Sequence, residues 1–205
     1  MTDNFPPLVL ECPECGERYL IPNPKNKPSE SRTVFSDGFF FDEYQWRVPS
    51  IIGCVTCELG FFPENGKLIA EPTLDEFNEK WIDTKKAQAP QAGVLALELR
   101  ARRDMLVDKE VAIRTELWYA GNHTALGQKM LLNNKRFNQF WFESLIKLEE
   151  LLPHSNLDKL LLKAEINRQL GFFEKTIFLL DNASNVIAQR IIAESLLENR
   201  KPFTL

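Results

Sequence analysis

Hydrophobic and polar positions run in short alternating stretches over the first seventy residues, then shift to a longer helical rhythm. "LVLEC" and "ERYLIP" bracket Cys12-Pro13-Glu14-Cys15-Gly16 and predict two strands joined by a tight turn. "SIIGC" and "LGFF" repeat that arrangement around Cys54-Val55-Thr56-Cys57. "PENG" separates "GFF" from "KLIA", and its Asn65-Gly66 predicts a hairpin turn. Between the two cysteine pairs, "PNPKNKPSES" reads as a polar loop. "RTVFSDGFFFDEYQWRVP" reads as a further hairpin turning at Asp37-Gly38.

After Pro72 the period lengthens. Thr73 and Glu76 form a capping-box pattern for a helix through about Asp83, and "KKAQAPQAG" follows as a linker. Pro90 suits the first turn of the next helix. "VLALELRARRDML" and "VAIRTELWYA" read as helices, the second ending near Gly121-Asn122. Residues 136–152 carry Phe137, Trp141, Leu145, Leu148 and Leu152 on one apolar face, and Pro153 ends that helix. "NLDKLLLKAEINRQLG", "FFEKTIFLLDNA" and "VIAQRIIAESLLEN" supply three more. The expectation is an α+β chain: a small antiparallel β region over 1–72 and an all-α domain over 73–205.

A chain of 205 residues with 44% hydrophobic and 26% charged residues has the composition of a folded protein. Charge separates the halves. Residues 1–72 hold 6 Lys/Arg against 11 Asp/Glu, and the remainder holds 19 against 18. An acidic cysteine-bearing half disfavours nucleic acid as its partner. No basic leader precedes an apolar run, and no stretch approaches a membrane span, so a cytoplasmic, reducing setting is expected.

In that setting, paired C-x-x-C motifs read first as a structural metal site with Cys12, Cys15, Cys54 and Cys57 as ligands. Zinc is expected; a rubredoxin-like iron centre uses the same donors, and spacing does not choose between them. Disulfides or a redox pair fit less well, because neither motif precedes a helix. Four cysteines leave no coordination position open for catalysis. Gly16 suits the turn after the first pair. Glu58 occupies the matching place in the second, with glycine delayed to Gly60, which predicts a less regular turn.

From Leu160 to Ala183 the sequence resembles a tetratricopeptide helical hairpin. Ala164 matches the small residue between helices, Gly171 the turn, Phe173 the aromatic beyond it, and Ala183 the late small residue. Asn167 and Thr176 depart from that pattern, and no proline closes the unit at Ala188. Residues 111–152 read as a degenerate earlier hairpin, with "GNHTALGQKMLLNN" as an overlong turn. With the "CPECG" knuckle, "FSDGFFF", the second C-x-x-C and "ELWYAGN", the chain resembles a group of bacterial zinc-ribbon proteins with tetratricopeptide-like tails. The resemblance implies a fold and a metal, and no particular reaction.

No catalytic constellation is recognisable. His123 and His154 fall in predicted loops, and Asp42-Glu43 and Glu149-Glu150 read as solvated faces. Arg100, Arg102 and Arg103 read as an alternating charged helix face. Phe39, Phe40, Phe41, Tyr44 and Trp46 form a strand apolar on both faces, which predicts docking onto the helices in preference to a partner surface. The functional expectation is a non-enzymatic adaptor whose helical region binds protein. The alternative is a nucleic-acid factor with Arg18, Lys25, Lys27, Arg32 and Arg47 as contacts.

Overall fold

The computed structural model describes residues 5–27, 32–42, 46–101, 104–153 and 156–205. Its strands are β1 (Leu8–Glu11), β2 (Arg18–Ile21), β3 (Thr33–Val34), β4 (Phe40–Phe41), β5 (Ile52–Gly53), β6 (Gly60–Phe61), β7 (Lys67–Ala70) and β8 (Lys85–Lys86). Its helices are α1 (Leu74–Glu76), α2 (Ala92–Ala101), α3 (Val107–His123), α4 (Ala125–Asn133), α5 (Lys135–Leu151), α6 (Leu157–Leu170), α7 (Phe173–Leu180) and α8 (Val186–Leu196). The fold is mixed α+β, small sheets first and helices after. Contacts divide it into two compact units, Met1–Arg32 with Phe41–Glu98, and Thr33–Phe40 with Leu99–Leu205. The break expected at Pro72 therefore lies inside the first unit, which keeps α1, β8 and most of α2, as far as Glu98.

The first unit is built on a four-stranded sheet in the order β7-β1-β2-β8. β1 and β2 pair antiparallel from Leu8↔Ile21 to Glu11↔Arg18, so the first cysteine pair sits on their connecting turn. β5 and β6 form a separate antiparallel pair, Ile52↔Phe61 and Gly53↔Gly60, with the second cysteine pair on its turn. Leu10, Tyr19, Ile52, Phe61 and Ala87 pack with Cys12 and Cys54 into one core.

Two sequence expectations change here. "PENG" does not make a hairpin: β7 returns to β1, with Leu10↔Leu68 and Glu11↔Lys67 in register. Residues Pro63–Asn65 form a 3-10 turn, and Gly66 takes an ordinary extended conformation. Glycine is required there by proximity, because a Cβ would lie 2.7 Å from the Leu10 side chain. The supposed linker "KKAQAPQAG" is likewise structural. Lys85 and Lys86 pair parallel with Tyr19 and Leu20, and the Ala87 N–H donates to the Leu20 carbonyl at 2.8 Å. Lysines on this outer strand discourage pairing with another chain. The capping box forms as expected: Thr73 Oγ1 accepts from the Glu76 N–H at 3.3 Å, and Glu76 Oε2 accepts from the Thr73 N–H at 3.0 Å. The next turn, Phe77–Trp81, is a π-helical one.

In the second unit, Trp118, Leu145, Leu148, Leu152, Ile166 and Leu170 join α3, α5 and α6. Leu161, Ala164, Leu180, Ala188 and Ile191 join α6, α7 and α8. The stretch expected to be an overlong turn contains α4. Thr124 Oγ1 caps it by accepting from the Gly127 N–H at 3.0 Å. A Cβ at Gly127 would strike the Ala120 carbonyl, so glycine permits the sharp α3–α4 corner. α6 is the central helix and is buried along most of its length, charged residues included. Gly171 ends it at φ 86°, a left-handed cap that favours glycine.

Residues 33–40 belong to this helical unit. β3 and β4 turn at Gly38, φ 82°, as the sequence predicts. A C-terminal stretch lies alongside: the Ser36 N–H donates to the Phe203 carbonyl, and the Leu205 N–H donates to the Val34 carbonyl, both at 2.8 Å. Phe35 and Phe39 pack on His123, and Phe39 meets Tyr119 edge-on at 5.4 Å. Docking on a helix thus accounts for Phe39 in the aromatic stretch. Phe41 is exposed, and Tyr44 lies outside the described residues.

Candidate metal centre

The two cysteine-bearing turns share one closing hydrogen bond, and the first adds a bond from the Gly16 N–H to the Cys12 carbonyl at 3.0 Å. The Cys12 N–H donates to the Glu17 carbonyl at 2.8 Å, and the Cys54 N–H donates to the Leu59 carbonyl at 2.9 Å. Each bond spans five residues and closes the turn on its strand pair. The residue after the second cysteine is left-handed in both, Gly16 at φ 77° and Glu58 at φ 59°. The second turn thus keeps the left-handed backbone of the first without glycine. An acidic residue holds the conformation glycine holds in the first knuckle, at a backbone cost that glycine avoids.

Two side-chain ties join the knuckles. Tyr19 on β2 reaches the second one, where its hydroxyl donates to Cys54 Sγ at 3.3 Å and accepts from the Val55 N–H at 2.9 Å. Thr56 Oγ1 donates to Glu17 Oε2 at 2.5 Å. The four sulfurs converge as a result, all within 4.8 Å of one another. Cys12 and Cys57 are 3.8 Å apart, Cys15 and Cys54 3.4 Å, and all four cysteines are free thiols. Metal–sulfur bonds of ~2.3 Å in a tetrahedron put sulfurs ~3.8 Å apart, so one ion can reach all four. Cys12 and Cys54 are buried and Cys15 is exposed.

Electrostatics separate the thiols. Burial raises the pKa of Cys54, yet hydrogen bonds from the Cys57 and Thr56 N–H groups and the Tyr19 hydroxyl outweigh it and bring Cys54 down to about 6. At Cys57 the Leu59 N–H favours the thiolate, but burial and the neighbouring sulfurs prevail and push it up to about 12. Cys15 is also raised: the Glu17 N–H lowers it, but partial desolvation and the Cys54 and Cys12 sulfurs prevail. Tyr19 is raised first by burial and then by its bond to Cys54, which keeps it a neutral donor. Cys54 thus raises its neighbours Cys15 and Cys57, the behaviour of acids packed too closely to ionise together. A divalent cation removes that conflict.

Other sequence candidates separate from this centre. Arg18 lies 3.8 Å from Glu11 and 5.4 Å over the Trp81 ring, while Lys25 pairs with Glu71. Arg32 and Arg47 also have partners, and Lys27 is exposed. Arg100 stands 4.4 Å over the Phe140 ring; Arg102 and Arg103 lie outside the described residues, as do Glu43 and His154. Asp42 is buried with a partner, and Glu149 faces Lys163 and Lys175.

His123 differs most from its expected place in a solvated loop. It ends α3, is nearly buried, and lies 2.8 Å from the fully buried Asp37 carboxylate. Asp37 Oδ2 also accepts from Asn122 Nδ2 at 2.7 Å. Gln169 Oε1 accepts from Asn122 at 3.1 Å and from Trp118 Nε1 at 2.9 Å, while Gln169 Nε2 donates to Glu165 at 2.8 Å. Glu165 and Arg168 form a fully buried bidentate pair at 2.8 and 2.6 Å. This network was invisible to hydrophobic patterning, which assigns polar residues to the surface; the density of Lys, Glu, Asn, Arg and Gln in "KAEINRQL" was its one trace. Among the described residues, no helix is long and apolar enough to cross a membrane. No known family model, curated protein or solved structure matches the chain, so the chemistry of the sulfur cluster carries the functional reading.

Proposed function

We propose that the protein is a non-enzymatic adaptor: a zinc ribbon whose metal is structural, joined to a tetratricopeptide-like helical unit that binds a protein partner. The observation that carries it is the closed shell of four sulfurs. Soft thiolates in a tetrahedron suit zinc, and such a shell leaves no position for water or substrate. The metal's task is then to fold a small unit whose strands bury little apolar surface.

The tetratricopeptide-like reading draws support from the α6–α7 hairpin. Ala164 is fully buried at the helix–helix approach, and Gly171 makes the left-handed turn. The two departures are accommodated locally: Asn167 Nδ2 donates to the Lys163 carbonyl at 2.8 Å, and Thr176 Oγ1 donates to the Ala164 carbonyl at 3.2 Å. A cavity of about 790 Å³ opens at the end of α6, lined by Phe172, Phe173, Lys175, Ile177, Leu196 and Glu198. Leu196 is 70% exposed there, an apolar side chain available to a partner. Nucleic-acid binding through the first unit has less support, because Arg18 and Lys25 are already engaged by carboxylates.

Elemental analysis of protein purified under reducing conditions tests the metal, with one zinc per chain expected and loss of it in Cys54→Ser. A chain free of metal, or one carrying cystines, overturns the reading. For the helical surface, Leu196→Asp is expected to abolish capture of the wild-type partner set while leaving the thermal melt unchanged. Capture that survives removes this groove as the binding face.

A further inference from the structure

We propose that metal loading of the first unit is transmitted to the helical unit through residues 33–40, which the cysteine-closed loop delivers into the helices. This rests on the metal reading above. Cys15 and Cys54 draw together at 3.4 Å between sulfurs, and the segment Thr33–Phe40 lies inside the loop they close. It belongs to the other unit.

Within that unit the segment is internal structure. Asp37 is fully buried, accepting from Asn122 and facing His123 Nε2 at 2.8 Å. Phe39 stacks on the His123 ring, with centroids 4.2 Å apart and planes 14° from parallel. Ser36 Oγ donates to Glu165 Oε1 at 2.8 Å and accepts from the Phe203 N–H at 3.1 Å. Withdrawing the segment strips partners from Asn122, His123 and Glu165 at positions that water does not readily reach. Unmet buried polar groups are costly, so docking of this segment and order at the ends of α3 and α6 rise and fall together.

The metal enters through the tethers. With an ion bound, both flanks of the segment end on one fixed centre. Once the ion leaves and the first unit unfolds, the segment is joined to the rest of the helical unit by a long flexible chain, residues 41–98. The entropy cost of closing a loop grows with its length, so undocking becomes easier. Linkage is reciprocal: whatever loosens the docked segment must also loosen the metal.

The test uses the full chain, zinc-loaded or stripped by excess strong chelator under reducing conditions, read by hydrogen exchange and mass spectrometry. Metal removal is expected to lower amide protection about tenfold or more, both in residues 33–40 and at 119–123, a coupling of ordinary size. Loss of protection in residues 8–21 and 52–61 with 33–40 unchanged overturns the proposal and leaves the structural-metal reading standing. A chain that never held zinc sinks that reading, and this one with it. A milder variant checks reciprocity: His123→Phe keeps a ring against Phe39 and removes the nitrogen facing Asp37. It is expected to speed zinc transfer to a chromogenic chelator severalfold, and an unchanged rate overturns the proposal.

Discussion

Glu58 offers the sharpest quantitative test, because it holds in the second knuckle the left-handed backbone that Gly16 holds in the first. Left-handed backbone costs an L-residue roughly 1–2 kcal/mol relative to right-handed backbone. Glycine avoids that, but its unfolded chain is freer by roughly 0.5–1 kcal/mol. Glu58→Gly is therefore expected to stabilise the folded knuckle by ~0.5–1 kcal/mol. The Glu58 side chain is exposed, so little packing is lost with it. Gly16→Ala is the mirror experiment. A Cβ there meets nothing nearer than Glu11 Cδ at 3.9 Å, so its penalty is backbone alone, about 1 kcal/mol in the opposite sense. Because metal binding and folding of a small metal unit share one free energy, both effects read out as zinc affinity. A competition titration with a calibrated chelator should find zinc about 2- to 5-fold tighter in Glu58→Gly and about fivefold weaker in Gly16→Ala. An unchanged or weaker Glu58→Gly, or a neutral Gly16→Ala, would refute the equivalence of the two turns.

Zinc affinity should also fall with acidity. Cys15 and Cys57, with their raised pKa values, hold protons that the ion must displace, so lowering the pH from 7 to 6 should weaken binding at least about tenfold in the same titration. Pairing in Glu76 works in the usual carboxylate sense: the Thr73 N–H lowers its pKa, so its contribution is present above the unfolded value and is lost as pH falls through the folded one. Gly121→Ala should destabilise the helical unit by ~1–3 kcal/mol in a denaturant melt, since the new methyl would land on the Trp141 indole nitrogen. Arg168→Met should cost ~3–5 kcal/mol in that melt by stranding the buried Glu165 carboxylate; a loss below 1 kcal/mol would show that water reaches it.

Strands around the cysteines were legible because period-two runs and paired C-x-x-C motifs are local signals. The Thr73–Glu76 cap and the Gly171 turn were legible for the same reason. What escaped depended on distant partners. β7 was read as half of a hairpin with its neighbour in sequence, yet it lies beside β1, and nothing near Gly66 encodes that choice. Lys85-Lys86 looked like a linker because a two-residue edge strand has no pattern of its own. α4 hid inside "GNHTALGQKMLLNN", read whole as a turn, where Gly127 is a close-approach glycine. His123 looked solvated because its carboxylate partner lies 86 residues away.

The pairing of residues 33–40 with α6 and the C-terminal stretch imposes an order on biosynthesis. Ser36 must wait for Glu165, 129 residues later, and for Phe203, 167 residues later. At ~5–20 residues per second of translation, that is roughly 6–33 s during which an aromatic hairpin has left the ribosome without its final lodging. The sulfurs are only 39 and 45 residues apart and can capture an ion within seconds. The cysteine pairs can therefore meet well before the Phe-rich loop between them finds its final lodging.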